Sequence, residues 1–307
     1  MTDADARLAQ SVQVRLVKHA QTIHVDPNLV LNRYAVERFL YRLSRSPHAD
    51  QFVLKGALLM LVWLGETIRP TRDADLLGIG DMSDEALLGS FQGICSTEAE
   101  PDGMTYLPPS IRILPIRPED AHGGRRVTLQ AKLGNARLGV QVDVGFGDAV
   151  VPEPVWLDYP SLLGMPGARL RAYRPETAIA EKLHAMVVLG RRNSRMRDFF
   201  DIDALATHQS FQGQQLVDAV RATFERRGTP IPDGLPVGLT AEFSNSGDKQ
   251  AQWLAFTKKN GLSSAPASLS EVMSRVAVFL VPVLDAANQG AGMKATWGAG
   301  GPWQGLT

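Results

Sequence analysis

The stretch FVLKGALLMLVWLGETIRPTRDADLL, from Phe52 to Leu77, leaves this chain few ways to fold. One apolar run ends at Lys55-Gly56 and a second runs from Ala57 to Leu64. A polar segment then leads through Asp73-Ala-Asp75 into Leu76-Leu77. Short apolar runs broken by glycine and by charge read as strand, turn, helix, loop, strand. Side chains two apart on a strand share a face, so Asp73 and Asp75 are expected side by side. Adjacent carboxylates repel unless a cation sits between them. A hard divalent ion, Mg²⁺ or Mn²⁺, takes oxygen ligands and bridges substrate phosphates. A glycine turn entering a helix presents free N–H groups to phosphate oxygens. The stretch therefore points to a phosphate-handling metal site, although an isolated Asp-x-Asp is common on solvated loops.

Composition sets the bounds. The chain has 307 residues, enough for one large domain or two small ones. With 44% hydrophobic and 21% charged residues it falls in the ordinary globular range. The formal net charge is zero, which excludes a global basic field for nucleic acid but not a local patch. A single cysteine, Cys95, excludes an intrachain disulfide and fits a reducing cytoplasm. The N-terminal MTDADARLAQ does not read as a secretory signal. The longest apolar run is too short to cross a membrane, so no membrane partner is expected.

Around the opening stretch the chain reads as follows. Residues 4 to 48 are helical with a break at Asp26-Pro27, where Asp26 caps and Pro27 takes the first helical position. Asp84 to Cys95 is a helix capped by Ser83. Pro101 to Pro109 is a loop, Ile111 to Ile116 a short strand, and Pro118 to Gly124 a polar turn. Val127 to Leu133 and Arg137 to Phe146 form a hairpin turning at Gly134-Asn135. On its second strand Val140, Val142 and Val144 share one face, which puts Asp143 on the other as a candidate third carboxylate.

Gly147 to Gly167 is expected as a Pro-rich loop. Pro175 opens a helix that Gly190 stops, and Asn193-Ser194 caps the next one, on which Asp198 and Asp201 share a face. Segment 169 to 197 carries eight Lys/Arg against two acids, a local basic surface suited to a polyanion. His184 reads as a packing or polar-edge residue. Helices are expected over Leu216 to Phe224, Lys249 to Lys258 and Leu269 to Leu284. The tail from Gln289 is Gly-rich and expected to be flexible, with Trp297 and Trp303 suggesting a docking contact. The expected division is 1–150, N-terminal helices plus core; 151–288, mostly helical; and 289–307, tail.

Two motifs carry a resemblance. KG before an apolar helix, followed by R-x-T-x-D-x-D, resembles the AbiEii/AbiGii-type toxins of the DNA polymerase beta-like nucleotidyltransferase superfamily. So do IAEKLHA, with Lys182, and RMRDFFDI, with Arg195, Asp198 and Asp201. One departure stands at Ala57-Leu58, where the family usually has Gly, Ser or Thr after the first glycine.

The resemblance implies an α/β (α+β) fold, a polymerase beta-like core sheet with flanking helices and a mostly helical C-terminal region. It implies a metal- and NTP-dependent nucleotidyltransferase of a type IV toxin–antitoxin or phage-defence system. Such an enzyme moves a nucleoside monophosphate to an acceptor, best a tRNA 3′ end, and is paired with a cognate antitoxin encoded nearby. Asp73, Asp75 and Asp143 would hold Mg²⁺ or Mn²⁺, and Asp73, Asp75, Lys182 and Asp201 would be catalytic. Lys55, Gly56, Arg69, Thr71 and Asp198 would bind the nucleotide, and Arg191, Arg192, Arg195 and Arg197 the nucleic acid. The alternatives are a small-molecule, antibiotic-type nucleotidyltransferase and a degenerate nucleotide-binding module.

Overall fold

The computed structural model of the chain describes residues 3–65, 71, 73–116, 124–262 and 265–305. Arg69 and most of the turn expected over 118–124 lie outside the described residues. The chain divides into two compact units. The first comprises 1–62, 70–147 and 155–172; the second comprises 63–69, 148–154 and 173–307.

The first unit begins with helices α1 (Asp3–Thr22) and α2 (Pro27–Arg45). The Asp26 side chain accepts from the Asn28 N–H at 2.8 Å and Pro27 opens α2, as the sequence predicts. Then follow β1 (Phe52–Lys55), α3 (Leu58–Leu64), β2 (Ala74–Gly78), α4 (Asp84–Ser96), β3 (Met104–Pro115), β4 (Arg125–Leu133), β5 (Ala136–Phe146), β6 (Val155–Asp158) and β7 (Arg169–Ala172). The seven strands form one mixed sheet in the order β3-β4-β5-β2-β1-β7-β6. On β5, Leu138, Val140, Val142 and Val144 are buried; α2 packs on this strand and α4 on β3. On the opposite face Arg137 and Gly139 are exposed and Gln141 and Asp143 half-buried.

Two expectations change here. The loop expected over Pro101 to Pro109 is largely strand: β3 starts at Met104 and runs through Pro108-Pro109. β3 is the edge of the sheet, where a missing N–H can face outward, and its pairing shifts register between Leu107 and Arg112. The Pro-rich segment after Gly147 contains β6, which pairs with β7 as the last strand of the sheet, while β7 pairs with β1.

Helix α2 carries a buried ionic cluster that its apolar spacing does not announce. Arg38 and Arg42 both donate to Asp102, at 2.9 and 2.7 Å. Arg38 is 0% and Asp102 2% exposed. Arg38 also donates to the Pro166 carbonyl at 2.7 Å, and Glu37 accepts from Ser161 Oγ and the Leu162 N–H. α2 thereby ties the β6–β7 connection to the sheet. Burial pushes the Glu37 carboxyl up. At Asp102 burial works in the same direction, but the hydrogen bonds and charges of Arg42 and Arg38 outweigh it and hold the carboxyl below its ordinary range.

The second unit is mostly helical: α5 (Pro175–Leu189), α6 (Met196–His208), α7 (Gly213–Arg226), α8 (Ala241–Asn245), α9 (Gly247–Lys259) and α10 (Leu269–Asn288). The tail expected to be flexible is part of its core. β8 (Phe211–Gln212), β9 (Thr296–Trp297) and β10 (Trp303–Gln304) form a small sheet. Trp303 stacks on Phe279 with centroids 5.7 Å apart, and Trp297 meets the same ring at 4.8 Å. The Trp297 indole N–H donates to the Ala206 carbonyl and that of Trp303 to the Phe279 carbonyl. Glycine content reads as flexibility, but Gly300 and Gly301 supply positive φ for a turn between β9 and β10.

Asp102→Asn should destabilise the chain by about 3–5 kcal/mol, because two buried guanidinium groups lose their shared anion. Urea unfolding of wild type and variant measures this. A change under about 1 kcal/mol would show the cluster to be dispensable.

Candidate active site

The first unit aligns four charged side chains across four strands. Asp75 on β2 stands opposite Asp143 on the parallel strand β5. On the outer sides, Lys55 on β1 pairs in register with Asp75, and Arg126 on β4 with Asp143. Residues opposite one another share a face, so the row reads cation, carboxylate, carboxylate, cation. Arg126 grips Asp143 with both arms, Nε to Oδ1 at 2.8 Å and Nη2 to Oδ2 at 2.7 Å. Gln141 Nε2 lies 3.5 Å from the same Oδ1. The hydrogen bonds to Asp143, with the charges of Asp143, Asp73 and Asp75, outweigh partial burial and raise the Arg126 pKa. Three carboxylates thus act on one guanidinium.

Asp73 immediately precedes β2 and is exposed. It borders a cleft of about 600 Å³ lined also by Asn32, Arg112, Thr128, Gln130 and Gln141. Thr71 Oγ1 lies 3.5 Å from the Asp73 carbonyl. Gly56 has a role that the sequence reading did not assign. Its φ is +73°, and a Cβ built there would lie 2.0 Å from Asp75 Oδ2. Glycine at 56 is thus required by the seating of Asp75 as well as by the turn. The helix that follows, α3, has only seven residues.

Among the described residues no three His, Cys, Asp or Glu side chains gather as a ready metal cage. The donor set nonetheless suits Mg²⁺ or Mn²⁺: all oxygen, with Asp75 and Asp143 adjacent by register and a third carboxylate bordering the cleft. Asp143 is engaged by Arg126 in this arrangement.

The second unit assembles the other motif. Lys182 on α5 donates to Asp198 Oδ1 at 2.9 Å and to Asp201 Oδ2 at 2.8 Å on α6. The two side chains accepting from it are 1% and 0% exposed, and Lys182 itself 13%. Arg195 Nε lies 2.6 Å from Asp198 Oδ2, an ion contact with its N–H out of line for a hydrogen bond. These are not solvated surface charges. α6 begins at Met196 rather than directly after Asn193-Ser194. Asn193 Oδ1 accepts the Arg195 N–H and so turns the chain just before the helix.

The arginines separate. Arg169 and Arg171 belong to the first unit, and Arg174, Arg191, Arg192, Arg195 and Arg197 to the second. Arg191 pairs with Glu242 at 2.7 Å on an open surface. Arg192 is exposed, and Arg197 lies 4.0 Å from Asp198 and is also exposed. Arg195 is half-buried against Asp198.

His184 is a neutral structural residue. Burial first and the Arg227 charge second lower its pKa to about 4. Its Nε2 lies 2.9 Å from Thr229 Oγ1 and its Nδ1 3.3 Å from Arg227 Nη1. Arg227 also reaches Asp148 at 3.1 Å and Glu181 at 3.4 Å, a network that no motif in the sequence signals. Arg126 went unassigned in the sequence, yet a signal existed. Counting back along both strands from the Gly134-Asn135 turn sets Arg126 directly opposite Asp143.

Lys182→Met should destabilise the protein by about 3–5 kcal/mol, since it strands two buried carboxylates. Adding Asp201→Asn should recover part of that loss, so the double variant falls well short of the sum. Additive losses in urea unfolding would mean that the two side chains do not act as one unit.

The family model described as nucleotidyl transferase AbiEii toxin, type IV toxin–antitoxin system, matches residues 38–275. Two solved structures from Helicobacter pylori are similar. One is a protein assigned as a nucleotidyltransferase, with 19% identity over 84% of this chain and 96% of that one, and a TM-score of 0.48. The other is JHP933, with 18% identity over 85% and 94% of the two chains and a TM-score of 0.47. No curated protein matches the chain. Among the described residues no helix is long and apolar enough to cross a membrane. With the family match spanning both charged clusters, the chain belongs to the AbiEii nucleotidyltransferase toxins of type IV toxin–antitoxin systems.

Proposed function

We propose that this nucleotidyltransferase transfers a nucleoside monophosphate from an NTP to an acceptor hydroxyl, that of a tRNA 3′ end, with release of pyrophosphate. The observation that carries the reading is the side-by-side placement of Asp75 and Asp143 in a member of this family. Like charges directly opposite in a sheet destabilise it, so the arrangement serves something other than packing. Asp73, Asp75 and Asp143 would hold Mg²⁺ or Mn²⁺, which when bound polarises the α-phosphate and favours the ionised acceptor hydroxyl. In the reaction the acceptor oxygen bonds to the α-phosphorus, and the bond from that phosphorus to the bridging oxygen breaks. The hydroxyl proton passes to a base, a role suited to a carboxylate. Lys55, Arg69 and Thr71 flank the carboxylate strand in sequence and would contact the nucleotide, with Gly56 keeping Asp75 in place.

Lys182 supplies a cation to triphosphate oxygens, while Asp198 and Asp201 fix where its ammonium group points. A partly exposed ammonium held by two buried acids is positioned before substrate arrives. The protein would act in the cytoplasm, as the growth-inhibiting partner of a nearby-encoded antitoxin. The exposed Arg191, Arg192 and Arg197 suit a polyanionic acceptor, and the half-buried Arg195, tied to Asp198, would add to them.

Asp75→Asn should lower nucleotide transfer by about 100-fold or more, the scale of losing a charge-stabilising group. Its melting temperature should hold or rise, because a like-charge neighbour is removed. The assay pairs labelled NTPs with total tRNA and, separately, with aminoglycosides. Wild-type turnover in the variant would sink the site, and labelling of the drug instead of tRNA would make the enzyme an antibiotic-type transferase.

Replacing both Arg191 and Arg192 with Ala should flatten the log–log salt dependence of tRNA binding by about 1–2, at roughly 0.7–0.9 per lost phosphate contact. NTP affinity should change little. Identical slopes for wild type and the double variant would remove these arginines from the acceptor surface.

A further inference from the structure

We propose that Arg126 is the resident counter-ion of the carboxylate site, standing in for a divalent cation and yielding Asp143 to it when the metal binds. The inference rests on the metal reading above and deepens it. Three geometric facts carry it. The guanidinium takes both oxygens of Asp143, at 2.7 and 2.8 Å, so the metal cannot use that carboxylate fully while the fork is closed. Asp143 stands directly beside Asp75, so the anion that Arg126 neutralises is the one whose charge most disturbs its neighbour. Finally, Arg126 is 41% exposed against 18% for Asp143, which lets the long side chain leave while the carboxylate stays.

An ordinary cross-strand ion pair has a different logic. It joins two charges that nothing else needs, and breaking it loosens a sheet. Here the pair sits at the end of a row in which two acids adjoin. Removing the arginine leaves a stronger anion cluster. The apoprotein then suffers from repulsion, and any divalent cation gains. Arg126 and the metal therefore compete for one carboxylate, and binding of either weakens the other by the same factor.

The test is direct Mn²⁺ binding to the full-length protein without NTP, read from the electron paramagnetic resonance signal of free Mn²⁺. Arg126→Ala should tighten Mn²⁺ by about fivefold or more, the factor that corresponds to releasing a partly exposed ion pair of about 1 kcal/mol. Arg126→Lys keeps a charge but loses the fork and should fall between the two. As a second readout, Mn²⁺ should raise the melting temperature of Arg126→Ala more than that of wild type.

Unchanged or weaker Mn²⁺ binding in Arg126→Ala, with binding still abolished by Asp75→Asn, overturns the counter-ion role and leaves the metal site standing. Mn²⁺ binding that Asp75→Asn does not affect, or no binding in either wild type or Arg126→Ala, overturns the metal reading and this inference with it. Binding seen only in Arg126→Ala supports the inference in its strongest form.

Discussion

Two carboxylates, Asp75 and Asp143, are held opposite each other on neighbouring parallel strands, and the surroundings are arranged to tolerate that repulsion. A sheet does not choose such a pair for stability. The apolar residues that alternate with them, Leu76 on β2 and Val142 and Val144 on β5, lock the register by burial. A slip by one residue would turn those side chains outward, so the hydrophobic face enforces what the charged face resists. Lys55 and Arg126 flank the row and supply charge balance from outside it. Gly56 yields its side-chain space to Asp75. A larger apolar force thus places an unfavourable pair and holds it in register.

The second unit handles charge differently. Lys182, Asp198 and Asp201 satisfy one another in a nearly closed cluster between α5 and α6. Such a cluster adds little net stability over an apolar equivalent, because desolvation offsets most of the attraction. Its value lies in placing an ammonium group with little freedom. The same burial means that substitution at Lys182 would disturb the fold whatever its part in the transfer proposed above. Activity loss alone therefore says little about this residue, whereas at the more exposed Asp73 it is more informative.

Much of this was legible in the sequence because it is local. The α2 cap at Asp26, the Ser83 cap on α4, the Gly134-Asn135 hairpin and the Gly190 stop all rest on a few adjacent residues. The face of Asp143 followed from period-two alternation. What failed depended on distant partners. Trp303 is ordered by Phe279, and Arg38 is buried because Asp102 arrives from another part of the chain. β3 tolerates Pro108-Pro109 because it lies at the sheet's edge. The adjacency of β2 and β5 is likewise a matter of topology, and no spacing between Asp75 and Asp143 encodes it.

The departure at Ala57 takes on a different meaning in this setting. A hydroxyl after the first glycine would offer one more donor at the turn. In this chain Gly56 already has the Asp75 carboxylate against its Cα, and Lys55 stands in register beside that same carboxylate. A side chain at 56 would displace Asp75, whereas a methyl group at 57 need not. Alanine at 57 therefore leaves in place the glycine on which the seating of the Asp75 carboxylate depends. The charged row of Arg126, Asp143, Asp75 and Lys55 across β4, β5, β2 and β1 is therefore complete despite the change at 57.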